Sequence, residues 1–340
     1  MDEPRKGVAV EGKVGRIVAK GGGLMRLRDV IDRCGTCPRR RVSGSAFTLV
    51  ELMVVIVIVG ILAALLMPTL SKGRQRAQGV SCLNNGKQMM VAMTIYGHDY
   101  SDFFPPNPDD GNTLPGHNWC SGQAGIGGPQ EFDPDVLKDP ERSLLSPYLK
   151  GNVSVFRCPS DKRSGKYQGT DPAMMGQIVP SARTFSMNQA VGTICPAYDA
   201  HLKSHGGKPS LPVNGRWLNN RGDHRRDSPW ITYGKFSGIR APGPAMLWVL
   251  LDEDSKYLND AAFSYPMERP VWLDLPGCYH DIGCGFAFAD GHSETHRWVF
   301  RSPKQGWGHR IMDPPDFKDW LWMRERTSAH ISGAMPDPQF

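Results

Sequence analysis

Residues 47–70 read FTLVELMVVIVIVGILAALLMPTL, an apolar stretch that contains one charged residue, Glu51. An α-helix rises about 1.5 Å per residue, so this stretch is long enough to cross the roughly 30 Å hydrocarbon core of a bilayer. The alternative is a buried helix of a soluble protein, which needs neither this length nor the basic flank at residues 39–41. The stretch therefore predicts a single membrane-spanning helix.

The excess of basic residues lies entirely upstream of this helix. Residues 1–46 contain 11 lysines and arginines against 5 acidic residues, whereas residues 47–340 contain 29 of each. Positive charge beside a membrane span is typical of the cytoplasmic flank. The remainder of the chain has no net charge, which argues against nucleic-acid binding there.

Small residues occupy positions 43–46, directly before the apolar stretch. A secretory signal peptide has the opposite order, with a shorter apolar region followed by small residues at the cleavage site. The order found here indicates cleavage on the cytoplasmic side, between Ala46 and Phe47, with the apolar helix retained.

Ser45-Ala46 followed by FTLVELMVVIVIVGILAALLMP resembles the prepilin cleavage and methylation motif of type IV pilins and type II secretion pseudopilins. The resemblance implies that a prepilin peptidase cuts before Phe47 and methylates the new amino terminus. The chain departs from the family pattern at Ala46, where glycine is usual, and in its long leader, residues 1–46. A start at Met25 would shorten that leader.

The resemblance also places Glu51 and Pro68 at the glutamate and proline positions of the family. A carboxylate at mid-membrane costs about 3 kcal/mol, and less near the edge, so such a residue usually has a partner. In a filament that partner is the free amine of Phe47 on a neighbouring subunit; a position at headgroup depth is the alternative. The implied partners are prepilin peptidase, other pilin-like subunits and the membrane. The implied location is the inner membrane, with the C-terminal domain periplasmic or otherwise extracytoplasmic, and the filament after assembly.

We expect an α+β fold in which a long N-terminal helix packs on an antiparallel sheet, as in pilins. The expected segments are a cleaved leader (1–46), a transmembrane helix (47–70), its amphipathic continuation (71–98) and a globular domain (99–340). The helix should continue past Pro68 with a kink and end near Gly97. Its predicted apolar stripe consists of Val80, Leu83, Met90, Val91 and Ile95.

Two strand signals stand out in the globular part. Residues 245–251 form a continuous apolar run and predict a buried strand. Residues 285–289 and 292–298 flank Asp290-Gly291 and predict a hairpin with a two-residue type I′ turn.

A second resemblance concerns the processing-associated domain found behind such leaders. His280 precedes Asp290-Gly291 by nine intervening residues, which matches the H-X9-DG element of those proteins. Residues 82–88, 157–161, 183–188 and 251–253 are also similar to segments of them. The resemblance implies no chemistry for this domain.

Two metal hypotheses follow from the residue types. His292, Glu294 and His296 alternate, so on a strand they share one face that could bind zinc. The favoured alternative is a solvated hairpin face, because no fourth ligand is identifiable. Some pseudopilins bind calcium in a C-terminal loop, and Asp252, Glu253 and Asp254 offer oxygen ligands, but without EF-hand spacing. We therefore expect no required cofactor.

The cysteines divide at the predicted cleavage point. Cys34 and Cys37 form a CxxC in the leader and have no role in the mature chain. The six others allow three disulfides in an oxidising compartment or remain as free buried thiols. The first pair expected to bridge is Cys278–Cys284. The six are Cys82, Cys120, Cys158, Cys195, Cys278 and Cys284.

The sequence thus predicts a structural subunit of a type II secretion or type IV pilus-like filament. There is no phosphate-binding loop, and Ser186 and Ser293 lie in no nucleophile-elbow context, so we expect no enzymatic activity. The alternatives are a membrane-anchored binding or adhesin module and, less favoured, an extracytoplasmic enzyme.

Overall fold

A computed structural model describes residues 48–194, 198–199, 204–205, 211–213, 215–219, 228–300, 309–311 and 313–339. The predicted cleavage point, Ala46–Phe47, lies outside the described residues, as do Cys34, Cys37 and Cys195. The chain divides into two compact units between Leu62 and Ala63.

Helix α1 runs without interruption from Leu49 to Asp99 and contains Pro68. The prediction that the helix continues past this proline is confirmed. Its most apolar 18-residue window has a mean hydropathy of 3.1 and buries none of its residues within the protein. It is the one described helix that is long and apolar enough to cross a membrane.

The second half of α1 buries a different face from the predicted stripe. Val80, Val91 and Ile95 are 68%, 57% and 46% exposed, so this part of the prediction is wrong, although Met90 is buried. The predicted stripe was chosen from the large apolar side chains of the helix. The face that is buried instead consists largely of small residues and methionines, which allow α1 to lie close to the sheet. A Cβ at Gly86 would lie only 3.2 Å from the Cβ of Ala287 in the sheet. The buried residues are Cys82, Asn85, Gly86, Met89, Met90, Ala92, Met93, Tyr96 and Gly97.

The central sheet has five strands in the order β12-β11-β8-β3-β9. Every neighbouring pair is antiparallel except β3 and β9, which are parallel. Together with α1 this sheet confirms the predicted α+β class. Its strands are β3 (Phe185–Asn188), β8 (Trp248–Asp252), β9 (Ala262–Phe263), β11 (Gly283–Phe288) and β12 (Ser293–Arg297).

Shorter elements surround the central sheet. The further helices are α2 (Asp135–Lys138), α3 (Pro314–Thr327) and the 3-10 turns Pro147–Leu149, Val153–Phe156 and Phe236–Gly238. Four two-stranded sheets pair β1 with β2, β4 with β7, β5 with β6 and β10 with β13. Their strands are β1 (Ser164–Lys166), β2 (Ile178–Pro180), β4 (Thr193–Ile194), β5 (Tyr198–Asp199), β6 (Ser204–His205), β7 (Leu211–Pro212), β10 (Val271–Trp272) and β13 (His309–Arg310).

The apolar run after Ala245 forms β8, all of whose residues are buried, as predicted. The predicted hairpin is β11–β12, with Ala287 opposite Ser293. Its turn is longer than the predicted two residues. Phe288 N donates to His292 O at 2.9 Å, and among the loop residues only Gly291 has a positive φ, +90°. A type I′ turn needs positive φ at both central residues, so that detail of the prediction is wrong.

A fully buried arginine connects several segments of the core. Arg183, just before β3, donates to Phe185 O at 2.7 Å, Asp260 O at 2.8 Å and Gly122 O at 3.1 Å. It also donates to Ser186 Oγ, which in turn donates to the buried carboxylate of Glu253. Backbone carbonyls from distant parts of the chain are thus satisfied by one guanidinium.

A small cavity elsewhere in the domain is lined by three acids, Asp109, Asp260 and Asp274, together with Arg216. Burial raises the pKa of Asp274 to about 7, although Ser264 N donates to it at 2.6 Å. Burial also raises the pKa of Asp260 well above its usual range, with Asp109 adding repulsion.

These acids predict a pH-dependent stability. A carboxyl whose pKa is higher in the folded state stabilises the fold while it is protonated and loses that contribution as the pH rises from about 4 to about 7. We therefore expect the melting temperature of the detergent-solubilised protein to rise as the pH falls from 7.5 to about 5.5. Asp274→Asn, which resembles the protonated acid, should flatten this profile. The exposed Glu141→Gln should leave it unchanged, and equal profiles for the wild type and Asp274→Asn would contradict the assignment.

Candidate functional site

The first candidate site is the N-terminus of α1. Thr48 donates from its backbone N and from Oγ1 to Glu51 Oε2, both at 2.8 Å, and Glu51 N donates to Thr48 Oγ1 at 3.2 Å. This reciprocal arrangement is a capping box, in which two side chains satisfy the free amides of the first helical turn. The T-x-x-E spacing of Thr48 and Glu51 is its sequence signal.

The capping box gives Glu51 a structural role within a single subunit. Its carboxylate is exposed and lies in the first turn of α1. An acid at a helix N-terminus is also favoured by the helix dipole. The side chain is therefore held near the start of the apolar segment, where it can meet a cation from another molecule.

The second candidate site is a buried cluster of Cys82, Cys158, Asp252 and His280 (the Cys–His–Asp cluster). The ligand atoms of these four side chains lie within 4.8 Å of one another. Cys82 Sγ donates to Asp252 Oδ2 at 2.8 Å. His280 Nε2 lies 3.4 Å from Cys158 Sγ and 3.3 Å from Asp252 Oδ2. No other group of three or more such side chains within the described ranges is arranged to hold a metal ion.

The fold brings these side chains together from four separate segments. Cys82 lies on the buried face of α1, Cys158 follows the 3-10 turn Val153–Phe156, and Asp252 ends β8. The pairing of Phe286 with Leu251 places the start of β11, and the preceding His280, beside Asp252. The register of the sheet therefore determines where the histidine lies.

Strained backbone follows the histidine. Asp281 and Ile282 have φ values of +53° and +61°, a left-handed conformation that is unfavourable for a β-branched residue. The turn is closed by a hydrogen bond from His280 N to Gly283 O at 3.2 Å. The chain thus adopts two unfavourable conformations in the turn that positions His280.

Burial and contacts within the cluster shift the pKa values of three of its side chains. Burial raises the pKa of Cys82 well above its usual range. The pKa of Cys158 lies below its usual value because Cys82 hydrogen-bonds to its sulfur. Burial lowers the pKa of His280, but contacts with Asp252 and Cys158 outweigh that effect and raise it to about 10.

His292, Glu294 and His296, the zinc alternative that the sequence left secondary to a solvated hairpin face, are not brought together as a set of ligands in the structure. His292 precedes β12 and pairs with Asp290 Oδ1 at 2.6 Å, Glu294 is exposed, and His296 stacks on Trp322 with ring centroids 3.7 Å apart. His292 and His296 have separate partners, and His292 lies outside the strand. The favoured hairpin interpretation holds for Phe286 and Phe288, which are buried.

The carboxylates considered for calcium also diverge. Asp252 and Glu253 are successive residues at the end of a strand, so their side chains point to opposite faces. Asp252 joins the Cys–His–Asp cluster, whereas Glu253 accepts from Ser186. Asp254 Oδ1 accepts from Lys256 N at 2.9 Å. They form no common site.

The predicted Cys278–Cys284 bridge is absent, and all five described cysteines are free. Cys284 lies on β11 and faces the core, where its Sγ donates to Asp252 O at 3.1 Å. Cys278 lies in the segment before the strand and is only partly buried. The strand geometry orients the Cys284 thiol toward β8.

The two ends of the H-X9-DG element lie at the two ends of β11. His280 belongs to the Cys–His–Asp cluster, whereas Asp290 accepts from His292 N at 3.0 Å in the turn and Gly291 supplies the positive φ. All four segments that meet at the cluster carry sequence signals, but the signals indicated other roles. The cysteines were candidates for disulfides, Asp252 for calcium binding and His280 for the H-X9-DG element.

An exposed apolar helix with a capped carboxylate at its start, followed by a packed α+β domain, defines a membrane-anchored pilin-like subunit. Residues 44–67 match the family described as the prokaryotic N-terminal methylation motif. Residues 71–222 match the family described as "Protein of unknown function (DUF1559)". The chain is 32% identical over 139 residues to the type II secretion system core protein G of Klebsiella michiganensis, covering 41% of this chain and 82% of that protein. No solved structure matches.

The chain therefore belongs to the pilin-like family of type II secretion pseudopilins and is a pseudopilin subunit.

Proposed function

We propose that the mature chain, starting at Phe47, assembles with other pilin-like subunits into a type II secretion or type IV pilus-like filament. Before assembly it is held in the inner membrane by residues 47–70. The leader, residues 1–46, is cytoplasmic and is removed by prepilin peptidase. The segment 71–98 and the domain 99–340 are extracytoplasmic, and the domain has no enzymatic role.

The observation that carries this proposal is the exposure of α1 in the single subunit. From Leu49 to Leu70 its large apolar side chains are about half exposed or more, so they need lipid or other helices around them. Beyond this segment Val80, Val91 and Ile95 remain exposed on a helix whose opposite face is packed. Both surfaces can be buried when subunits pack helix against helix.

The type II secretion system core protein G of Klebsiella michiganensis supports the same proposal. Its similarity to this chain favours the secretion system over a pilus as the setting of the filament.

Processing provides the direct test. We expect mass spectrometry of the N-terminal peptide to show a methylated Phe47 in peptidase-competent cells and the intact leader in peptidase-deficient cells. Ala46→Gly should be cut at least as completely as the wild type, whereas the bulkier Ala46→Leu should retain the leader. The sheared filament fraction should contain only the cut form. A retained leader in the wild type, or a cut chain that never enters filaments, would contradict the proposal.

A further inference from the structure

We propose that the Cys–His–Asp cluster is a structural Zn²⁺ site that fastens α1 to the central sheet. Cys82 would bind from the helix, Cys158 from the segment after the 3-10 turn, Asp252 from the end of β8 and His280 from the turn before β11. This site is independent of filament assembly.

The distances fit a metal centre. A tetrahedral zinc ion bound at about 2.0–2.3 Å holds its ligand atoms about 3.3–3.8 Å apart. Two of the measured separations, 3.4 Å from His280 Nε2 to Cys158 Sγ and 3.3 Å to Asp252 Oδ2, lie in this range. The 2.8 Å separation of Cys82 Sγ and Asp252 Oδ2 is shorter and would open slightly around an ion.

The donor types favour zinc over the hard cations. Two thiolates and an imidazole suit Zn²⁺, whereas calcium and magnesium take oxygen ligands almost exclusively. Four protein ligands complete a tetrahedron and leave no open position for a substrate, which is the pattern of a structural site.

The surroundings hold the donors in place. Thr184 Oγ1 donates to Asp252 Oδ1 at 3.3 Å and accepts from Cys158 N at 2.7 Å. A Cβ at Gly285 would lie 3.2 Å from both Asp252 Oδ2 and Cys82 Sγ, so a side chain at this position would crowd two of the donor atoms. A cavity of about 580 Å³ along α1 is lined in part by His280.

A catalytic cysteine is the first alternative, and the geometry argues against it. In a catalytic triad the acid binds one imidazole nitrogen and the nucleophile the other. Here Cys158 and Asp252 both lie against Nε2, and His280 Nδ1 is buried with no partner among the described residues. The thiol and the carboxylate therefore face the same imidazole nitrogen, whereas a catalytic triad needs them on opposite nitrogens.

Metal content tests the proposal. The detergent-solubilised chain is purified without chelator or reductant, with Cys34 and Cys37 replaced by alanine to remove the leader CxxC. We expect stoichiometric zinc by elemental analysis, a more than roughly tenfold loss in Cys82→Ala and in Cys158→Ala, and no loss in Cys120→Ala, which removes another buried free thiol.

The alanine variants could lose zinc only because they fail to fold, so a second measurement uses the protein with all four cluster residues unchanged. Zinc removed by a chelator is replaced with Co²⁺, and we expect the visible bands of tetrahedral thiolate-bound cobalt, which added Zn²⁺ should abolish. Three results would overturn the proposal. These are a chain purified with a Cys82–Cys158 disulfide, equal zinc in the Cys82→Ala and Cys120→Ala variants, or cobalt bands without thiolate character.

Discussion

Replacing Glu51 by valine should leave the protein in the membrane but remove it from filaments. Membrane insertion should be intact or improved, because a carboxylate is taken out of hydrocarbon. In the proposed filament the amine of Phe47 would lose its partner, and a buried charge without a partner costs about 3–5 kcal/mol. Incorporation should therefore fall by about two to three and a half orders of magnitude. The measurement compares membrane-embedded with sheared or cross-linked oligomeric protein.

The capping box makes a matched control necessary, since valine also removes the contacts with Thr48. Glu51→Gln keeps an oxygen that can accept from Thr48 and is the other residue found in capping boxes. If charge pairing fixes the register, the glutamine variant should assemble nearly as poorly as the valine variant. Glutamine that assembles like the wild type would show that Glu51 acts only as a helix cap. Mass spectrometry should show cleavage before Phe47 in both variants.

Arg183→Met should prevent stable folding of the globular domain. Methionine has a similar length but no donors, so the carbonyls of Gly122, Phe185 and Asp260 would be left buried without this partner. Each such group costs about 1–3 kcal/mol, and the total approaches the 5–15 kcal/mol by which whole domains are typically stable. We expect the detergent-solubilised variant to be degraded by protease at temperatures where the wild type resists.

The control for this substitution is Arg142→Met. Arg142 forms an exposed pair with Asp139 at 3.3 Å, and such pairs contribute about 1 kcal/mol or less. The melting temperature of the Arg142→Met variant should stay close to that of the wild type. Arg183→Lys should be intermediate, because an ammonium group cannot reach all the carbonyls that the planar guanidinium serves. A stable Arg183→Met variant would show that water replaces the arginine.

The anchor and the general fold could be predicted from sequence because they depend on local composition. An uninterrupted apolar stretch with one acid is enough to predict a membrane-spanning helix. Alternating aromatic residues around Asp290-Gly291 are enough to predict a hairpin. The buried face of α1 could not be predicted in this way. It is chosen by the sheet, which needs the small profile of Gly86 more than it needs valine or isoleucine.

The Cys–His–Asp cluster was missed for a different reason. Its residues lie in segments singled out in the sequence, but each was considered within its own neighbourhood, Asp252 with Glu253 and His280 with Asp290-Gly291. The register of β11 against β8 is the information that joins His280 to Asp252. That register is a tertiary property, so no local spacing reveals it.

The wide spacing of the Cys–His–Asp cluster along the chain has a consequence for the order of folding. Cys82 comes near the start of the globular unit and His280 near its end, so their contact closes a loop of most of the domain. Contacts of such sequence separation form late, because the entropy of loop closure must be overcome first. The second half of α1, weakened by Gly73, Gly79 and Gly86, therefore emerges early but acquires its contacts with β11 late. During that interval its methionine-rich face is open to chaperones and proteases, and the arrival of the β11–β12 hairpin ends this exposure.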